Sequence, residues 1–293
     1  MKSIFTSLVV MILLSFSLYS DEWDDELGDW NFLESDNDYR EEVEKPTIEI
    51  NYGFTSPQMN GNLEGGKYKF SKQNLLDVKL GYTEFSKMFN DSIYTGTNKS
   101  EFDYLSVKHF SKDLGADLGQ APRFVKSWMI AIGEKNSYGY SLGNNFAINL
   151  FNGAESGINY FLSEGQESID PIMKIFGKEA RYAEGFEAGI TFDIMNSFSI
   201  NSSFERSIIH PRLMFWYASL SSLIEVASKS MAESFVAKIL KSSPLAVPIV
   251  NFILQNGISY GISELRKDDV NWPVSSAQPF VYDNYKFGIS INF

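Results

Sequence analysis

Apolar residues occupy every second position in several stretches of this chain, with small or polar residues between them. In residues 47–55, for example, Ile48, Ile50, Tyr52 and Phe54 alternate with polar or small residues. A period of two predicts β-strands with one apolar face and one polar face. Eight stretches follow this pattern: residues 47–55, 75–85, 102–112, 124–134, 144–151, 184–194, 197–206 and 281–293.

Strands with two different faces occur in water-soluble sandwiches and barrels as well as in membrane barrels. Here the apolar face is rich in Phe, Tyr, Trp and Ile near the strand ends, and the other face mixes charged with small polar residues. This distribution favours an all-β transmembrane antiparallel barrel. We expect about eight strands, and ten or twelve if residues 67–72, 137–141 or 157–161 also pair.

Residues 211–266 break the alternation. Between Trp216 and Leu240 the apolar residues recur every three or four positions, which predicts an amphipathic helix. Residues 245–262 are almost wholly apolar and predict a second helix, buried on most of its sides. The sequence therefore predicts a helical hairpin within an insertion at residues 212–266, between the seventh and eighth strands.

The position of this hairpin depends on the number of strands. It can plug or cover the barrel, constrict a pore, or lie at the membrane surface and bind a partner. An eight-stranded barrel is filled by its own side chains, so a helix in the lumen requires a wider barrel. Either ten to twelve strands exist, or the hairpin lies outside the lumen.

Residues 1–20 have the pattern of a signal peptide. Lys2 precedes an apolar stretch that ends at Leu18, too short for a stable transmembrane helix. We expect cleavage after Ser20, with Ser17 as the second candidate and an uncleaved anchor helix as the alternative. The absence of cysteine excludes a lipoprotein anchor, disulfides and thiolate metal sites.

The net charge of −12 is concentrated in residues 21–45, where twelve acidic residues face two basic ones. We expect a disordered, solvated periplasmic tail before the barrel of residues 46–293. Aromatic residues such as Trp23 and Trp30 leave open that this tail docks on a basic partner. An acidic tail repels nucleic acid, and no basic patch offsets it, so we expect no nucleic-acid partner.

The last strand carries the most specific pattern. Its apolar face ends at Phe293, with an aromatic residue as the final position. The strand resembles the closing strand of outer-membrane β-barrel proteins, in which a polar residue, a glycine, an apolar residue and a terminal aromatic follow a fixed spacing. Lys286, Gly288, Ile291 and Phe293 match those four positions. The resemblance implies a location in the outer membrane of a Gram-negative-type bacterium and an assembly signal read by the β-barrel assembly machinery. It identifies no subfamily.

Few residues offer catalytic or metal-binding chemistry. His109 and His210 are the two histidines, and we expect no metal and no cofactor. His109 and Ser111 lie on one face of a predicted strand, so the imidazole could accept the serine proton. This His-x-Ser element resembles that of outer-membrane phospholipase A and lipid A deacylases, although those families have Asn where this chain has Lys112. The sequence identifies no third residue that would orient His109.

The leading expectation is a non-enzymatic outer-membrane barrel, in the form of a narrow or plugged pore, in contact with outer-membrane lipid. One alternative is a docking or adhesion module that binds a periplasmic or surface protein through its loops and hairpin. The other is a lipid acyl hydrolase that uses His109 and Ser111.

Overall fold

The computed structural model describes residues 43–59, 70–87, 96–114, 125–143, 145–162, 175–177, 179–195 and 197–293. The strands in these ranges are β1 (Val43–Gln58), β2 (Gln73–Lys87), β3 (Thr97–Ser111), β4 (Lys126–Ser141), β5 (Phe146–Leu162), β6 (Ala180–Ile194), β7 (Phe198–Ile209) and β8 (Phe280–Asn292). The α-helices are α1 (Phe215–Ser242) and α2 (Val247–Arg266), joined by a short 3-10 turn at Pro244–Ala246.

The eight strands form one closed barrel in which each strand pairs antiparallel with the next and β8 pairs with β1. The prediction of an eight-stranded transmembrane-type barrel with an inserted helical hairpin is confirmed. Residues 137–141 and 157–161 extend β4 and β5 rather than adding strands. The barrel begins at Val43, slightly before the predicted end of the acidic tail. The predicted signal peptide and residues 21–42 lie outside the described residues.

The strands are staggered around the barrel. A path across directly paired residues that begins at Pro46 passes every strand and returns to β1 at Ser56, ten residues further along. Such a stagger tilts the strands of a closed barrel against its axis. We call the end at which β1 begins and β8 finishes the terminal end, and the end at which β7 leads into α1 the hairpin end.

Alternation along each strand separates polar from apolar side chains. On β1, Glu49 and Asn51 point into the lumen and are 3% and 0% exposed, whereas Ile50 and Tyr52 point outward and are 44% and 47% exposed. The other strands alternate in the same way, so most lumenal side chains are polar or charged and most outward ones are apolar. A water-soluble barrel has the reverse arrangement, and this outer surface is stable in lipid. The barrel is therefore a membrane-spanning one.

The hairpin lies against the outside of the barrel wall. At its turn, the Tyr140 hydroxyl near the terminal end of β4 donates to the Leu245 carbonyl at 2.6 Å. Along α2, Asn251 then donates to Asn152 on β5 at 3.3 Å. At the hairpin end, Arg266 donates to Glu184 on β6 at 3.0 Å. Because these barrel residues point outward, α2 runs from one end of the barrel to the other along its outer wall, and the hairpin is not a plug in the lumen.

Proline shapes the turn between the helices. Pro244 opens the 3-10 turn, and Pro248 lies in the first turn of α2, where its missing N–H leaves no hydrogen bond unmade. Within the described residues, the segment Pro244–Arg266 is the one helix long and apolar enough to cross a membrane.

Candidate functional site

Charged side chains fill the middle of the lumen. Each is at most 6% exposed, because alternation along the strands directs every second residue inward. A buried charge is tolerated only with partners of the opposite sign, and these residues form one network of ion pairs. Its members are Glu49, Asp77, Glu155, Glu187, Glu205, Lys79, Lys108, Lys135 and Lys286.

Ion pairs of this network cross the axis of the barrel. Lys79 on β2 contacts Glu187 on β6 at 2.5 Å, and Lys108 on β3 contacts Glu205 on β7 at 2.7 Å. These strands lie opposite each other in a ring of eight. Lys286 on β8 adds contacts to Asp77 at 2.9 Å and to Glu187 at 3.1 Å. The side chains therefore occupy the axis and leave the middle of the lumen closed.

An apolar cap closes the lumen at the hairpin end. The rings of Phe110 and Tyr282 stack with their centroids 4.1 Å apart, and Phe280 packs edge-on against Phe161 at 5.3 Å. The Tyr282 hydroxyl bonds to Ser127 at 2.9 Å, so the one polar group of this ring has a partner. The cap separates the charged network from the loops at this end.

A polar layer with one carboxyl group, that of Asp193, lines the terminal end. The Thr47 hydroxyl lies 2.7 Å from the Thr83 hydroxyl and donates to Asn292 at 2.8 Å. Ser199 and Asn149 both donate to Asp193, at 2.7 and 2.5 Å. From the hairpin end to the terminal end, the lumen thus contains an apolar cap, a charged network and a layer of hydroxyl and amide groups around Asp193.

The face of α2 toward the barrel is polar, and its opposite face is apolar. The outward apolar residues include Ile249 and Ile253, which are 51% and 62% exposed. This is the reverse of a helix on a soluble protein, and the prediction that α2 is buried on most sides is wrong. The buried polar residues are Asn251, Gln255, Asn256, Ser259, Ser263 and Arg266.

The barrel wall beneath α2 is also polar. Most outward positions of β1, β2 and β8 are apolar, whereas β4, β5 and β6 present polar groups where α2 packs on them. We call this contact between α2 and the wall the seam. In lipid, a polar group is stable only where it meets another polar group, so the two polar surfaces belong together. The outward polar residues of the wall are Glu134, Asn136, Asn152, Ser156 and Glu184.

Two arginines join the helices to the wall at the hairpin end of the seam. Arg266 contacts Glu184 on β6 at 3.0 Å and Glu225 on α1 at 2.8 Å. Arg206 on β7 contacts Asp283 on β8 at 2.6 Å and Glu264 on α2 at 2.5 Å. The sequence suggests a girdle or lumenal position for Arg206 but does not indicate the partners of either arginine, because those partners are distant in the chain.

Helix α1 turns its large apolar residues away from the protein. Leu223, Met231 and Phe235, which belong to the predicted apolar face, are 58%, 76% and 53% exposed. The buried positions of α1 are Ser221, Ala232 and Val236. Small residues at the contact allow close packing on α2, as in membrane helix pairs. The predicted amphipathic pattern is therefore weak, because α1 has apolar residues on both sides and its largest ones point toward the surroundings.

The residues of the hydrolase hypothesis have separate partners. His109 Nδ1 lies 3.3 Å from the Ser127 carbonyl, and its ring stacks on Trp128 with centroids 4.1 Å apart. The Ser111 hydroxyl donates to the Asp113 carboxylate at 3.3 Å and accepts from the Asp113 N–H at 3.1 Å. Among the described contacts, none joins the two as base and nucleophile. The second histidine, His210, lies in the seam with Nε2 3.3 Å from Glu184.

The four residues of the predicted assembly signal lie on β8, which pairs with both β7 and β1. Lys286 belongs to the lumenal network, and a side chain at Gly288 would overlap the Asn51 amide. Ile291 and Phe293 point outward and are exposed. Their role as an assembly signal stays a prediction.

No protein-family model matches the chain, and no curated protein matches it. Among solved structures, it is similar to Neisserial surface protein A, with 8% identity and a TM-score of 0.37 over 86% of this chain and 99% of that one. The attachment invasion locus protein Ail of Yersinia pestis gives 10% identity and a TM-score of 0.27 over 85% and 99%. Ail in complex with the heparin analogue sucrose octasulfate gives 11% identity and a TM-score of 0.26 over 85% of this chain and 99% of that one. Because these values are low, the assignment rests on the chain's own strand pairing: a closed eight-stranded antiparallel barrel with a polar, filled lumen and an apolar outer wall.

Proposed function

We propose that this chain is an integral outer-membrane protein without enzymatic activity, in which a sealed barrel anchors the helical hairpin in the bilayer. The observation that carries the proposal is the orientation of α2, which hides its polar residues against the barrel and presents Ile249 and Ile253 outward. In water this orientation would expose apolar surface and bury polar groups. In lipid the same orientation places the apolar residues against lipid chains and the polar residues against polar partners on the barrel.

Backbone chemistry supports the same location. Only helices and closed barrels satisfy all backbone hydrogen bonds inside a membrane, and this chain places one beside the other. The predicted signal peptide at residues 1–20 and the closing strand that ends at Phe293 favour the outer membrane of a Gram-negative-type bacterium. Outer-membrane lipid is then the main partner of the outer wall, and the assembly machinery is the partner during insertion.

The three layers of the lumen support a plugged rather than a conducting barrel. Eight strands enclose a space that side chains can fill, and here ion pairs such as Lys79–Glu187 cross it. The seal is formed by the barrel's own residues and the apolar cap, whereas the hairpin takes no part in it. A hydrolase receives no support, because His109 and Ser111 bond to other groups.

Docking is the second candidate function. Trp216 is 81% exposed and Met231 76% exposed, so α1 offers a broad apolar face to anything that shares its bilayer. A sealed lumen leaves this face and the loops at the hairpin end as the surfaces through which the protein can act. We therefore propose that any protein partner binds there.

Site-specific labelling tests the location of the hairpin. The chain has no cysteine, so single cysteines at Ile253 and, as a control, at the exposed loop residue Ser275 can carry a fluorescent probe in lipid vesicles. We expect quenchers attached to lipid chains to quench the probe at position 253, and aqueous iodide to quench the probe at position 275. Iodide quenching at both positions, without lipid quenching at position 253, would disprove the membrane hairpin.

A further inference from the structure

The charges of the lumenal network do not balance. The network contains five carboxyl groups, namely Glu49, Asp77, Glu155, Glu187 and Glu205, against the ammonium groups of Lys79, Lys108, Lys135 and Lys286. With every group ionised, one negative charge is left over. A surplus charge buried among side chains is strongly destabilising, so the network favours taking up one positive charge or neutralising one carboxylate.

The hydrogen-bond partners show which carboxyl group is the surplus one. Four of the five accept hydrogen bonds from a neutral donor in addition to at least one lysine. Their neutral donors are Asn51 and Ser290 for Glu49, Asn51 and Ser106 for Asp77, Ser203 for Glu187, and Ser207 and Asn284 for Glu205.

Glu155 is the exception. Its Oε1 accepts a hydrogen bond from Lys108, which also contacts Glu205 at 2.7 Å, so the two carboxyl groups share one ammonium. Its Oε2 is buried and, within the described residues, has no hydrogen-bond partner. Of the five groups, Glu155 has the fewest contacts that would stabilise a negative charge.

Glycines flank Glu155 on both neighbouring strands. The residues paired with it on β4 and β6 are Gly133 and Gly185, so neither neighbour places a side chain against the carboxyl group. Tyr104 fills the space above Gly133, with its Oη 2.8 Å from where a Cβ of Gly133 would lie. This hydroxyl is also buried and without a partner among the described residues. A second unsatisfied oxygen therefore lies at Gly133, the residue paired with Glu155 on β4.

We propose that the network binds one proton and that Glu155 Oε2 holds it, which leaves four negative and four positive charges in the network. The charged and titratable groups around this site are Lys108 and Tyr104 from β3, Asp77 from β2, Glu205 from β7 and Lys286 from β8. The apolar cap closes the hairpin end, whereas hydroxyl and amide groups line the terminal end. The proton therefore exchanges with water through the terminal end.

Infrared spectroscopy of the full-length protein in detergent micelles tests the site directly. The difference spectrum between the wild type and Glu155→Gln should show the loss of one protonated carboxyl group. Glu134→Gln, on the outer wall, is the control and should leave that signal in place. A difference spectrum that shows only an ionised carboxylate at position 155 would overturn the proposal.

Stability against urea provides a second readout. Above the pKa of about 4.3 that a glutamate has in an unfolded chain, the wild type must keep a proton that its unfolded state releases. Wild-type stability then falls with pH relative to E155Q, so the ratio of the folding equilibrium constants (E155Q over wild type) should rise by up to about tenfold per pH unit. A ratio that stays flat or falls with pH contradicts the proposal. So does a wild-type stability that depends on sodium at constant pH, because a sodium ion would then supply the missing charge.

Discussion

The guanidinium of Arg266, in the last turn of α2, lies 3.0 Å from the carboxylate of Glu184 on the outer wall of β6. The same nitrogen lies 2.8 Å from Glu225 on α1, and its side chain is 6% exposed. One buried cation therefore joins both helices of the hairpin to the barrel.

Arg266→Met should release the hairpin. It leaves Glu184 and Glu225 without their shared cation, and breaking a buried pair costs about 3–5 kcal/mol. We expect a lower free energy of unfolding in urea and faster proteolysis between α1 and α2. Lys267→Met is the matched control, because its partner Glu264 is 38% exposed and the pair should contribute no more than about 1 kcal/mol. Equal losses in both variants would show that the seam does not depend on Arg266.

The protein should insert into planar bilayers without conducting. We also expect no ion conductance when residues 212–266 are replaced by a short flexible linker, because the seal consists of lumenal side chains and the apolar cap. Steady channels in the deletion variant alone would show that the hairpin blocks a pore.

Phe110→Ala should weaken the apolar cap. Phe110 is fully buried and stacks on Tyr282, and removing a buried phenyl ring costs about 3–5 kcal/mol. Phe146→Ala is the comparison, since this ring is 53% exposed on the outer wall and should lose less. Urea titrations of both variants in the same detergent give the two values. A smaller loss for Phe110→Ala than for Phe146→Ala would argue against a packed cap.

Ile253→Asn distinguishes a hairpin in lipid from one in water. In lipid, an unpartnered amide at this exposed position costs about 1–3 kcal/mol, whereas in water it would have little effect. We expect a loss of stability in vesicles. Asn251→Ala should also destabilise, by about 1 kcal/mol, because it removes the bond to Asn152. An unchanged stability for Ile253→Asn would place this face in water.

Ser111→Ala should leave lipid composition and any hydrolytic activity of the purified protein unchanged. The serine hydroxyl bonds to Asp113, and the His109 ring is held between Trp128 and the Ser127 carbonyl. Loss of a measured lipase activity in this variant, with the fold intact, would revive the hydrolase.

The sequence predicted the strands well because alternation has the same period in any closed barrel. It predicted the hairpin for a similar reason, since helical periodicity and proline positions are local signals. It could not predict which way the helices face. Apolar residues at helical spacing, such as Leu223 and Met231, look the same whether they meet a protein core or lipid.

The lumenal network was hidden for a different reason. Lys79 and Glu187 are 108 residues apart in the chain, and their contact depends on the closure and stagger of the whole barrel. The predicted pairing of His109 with Ser111 is wrong although these residues are close in the chain. Two residues on one strand face point in the same direction, but this does not bring them into contact. His109 contacts Ser127 and Trp128, and Ser111 bonds to Asp113.

The seam also makes the barrel asymmetric within the membrane plane. A neighbour that approaches β1, β2 or β8 meets bare strands with residues such as Ile50 and Phe287, whereas one that approaches β4, β5 or β6 meets helices. A plain eight-stranded barrel is nearly equivalent in every direction within the membrane plane. This barrel has one wall covered by helices and one wall of bare strands. Lateral association with neighbouring proteins should therefore prefer one side.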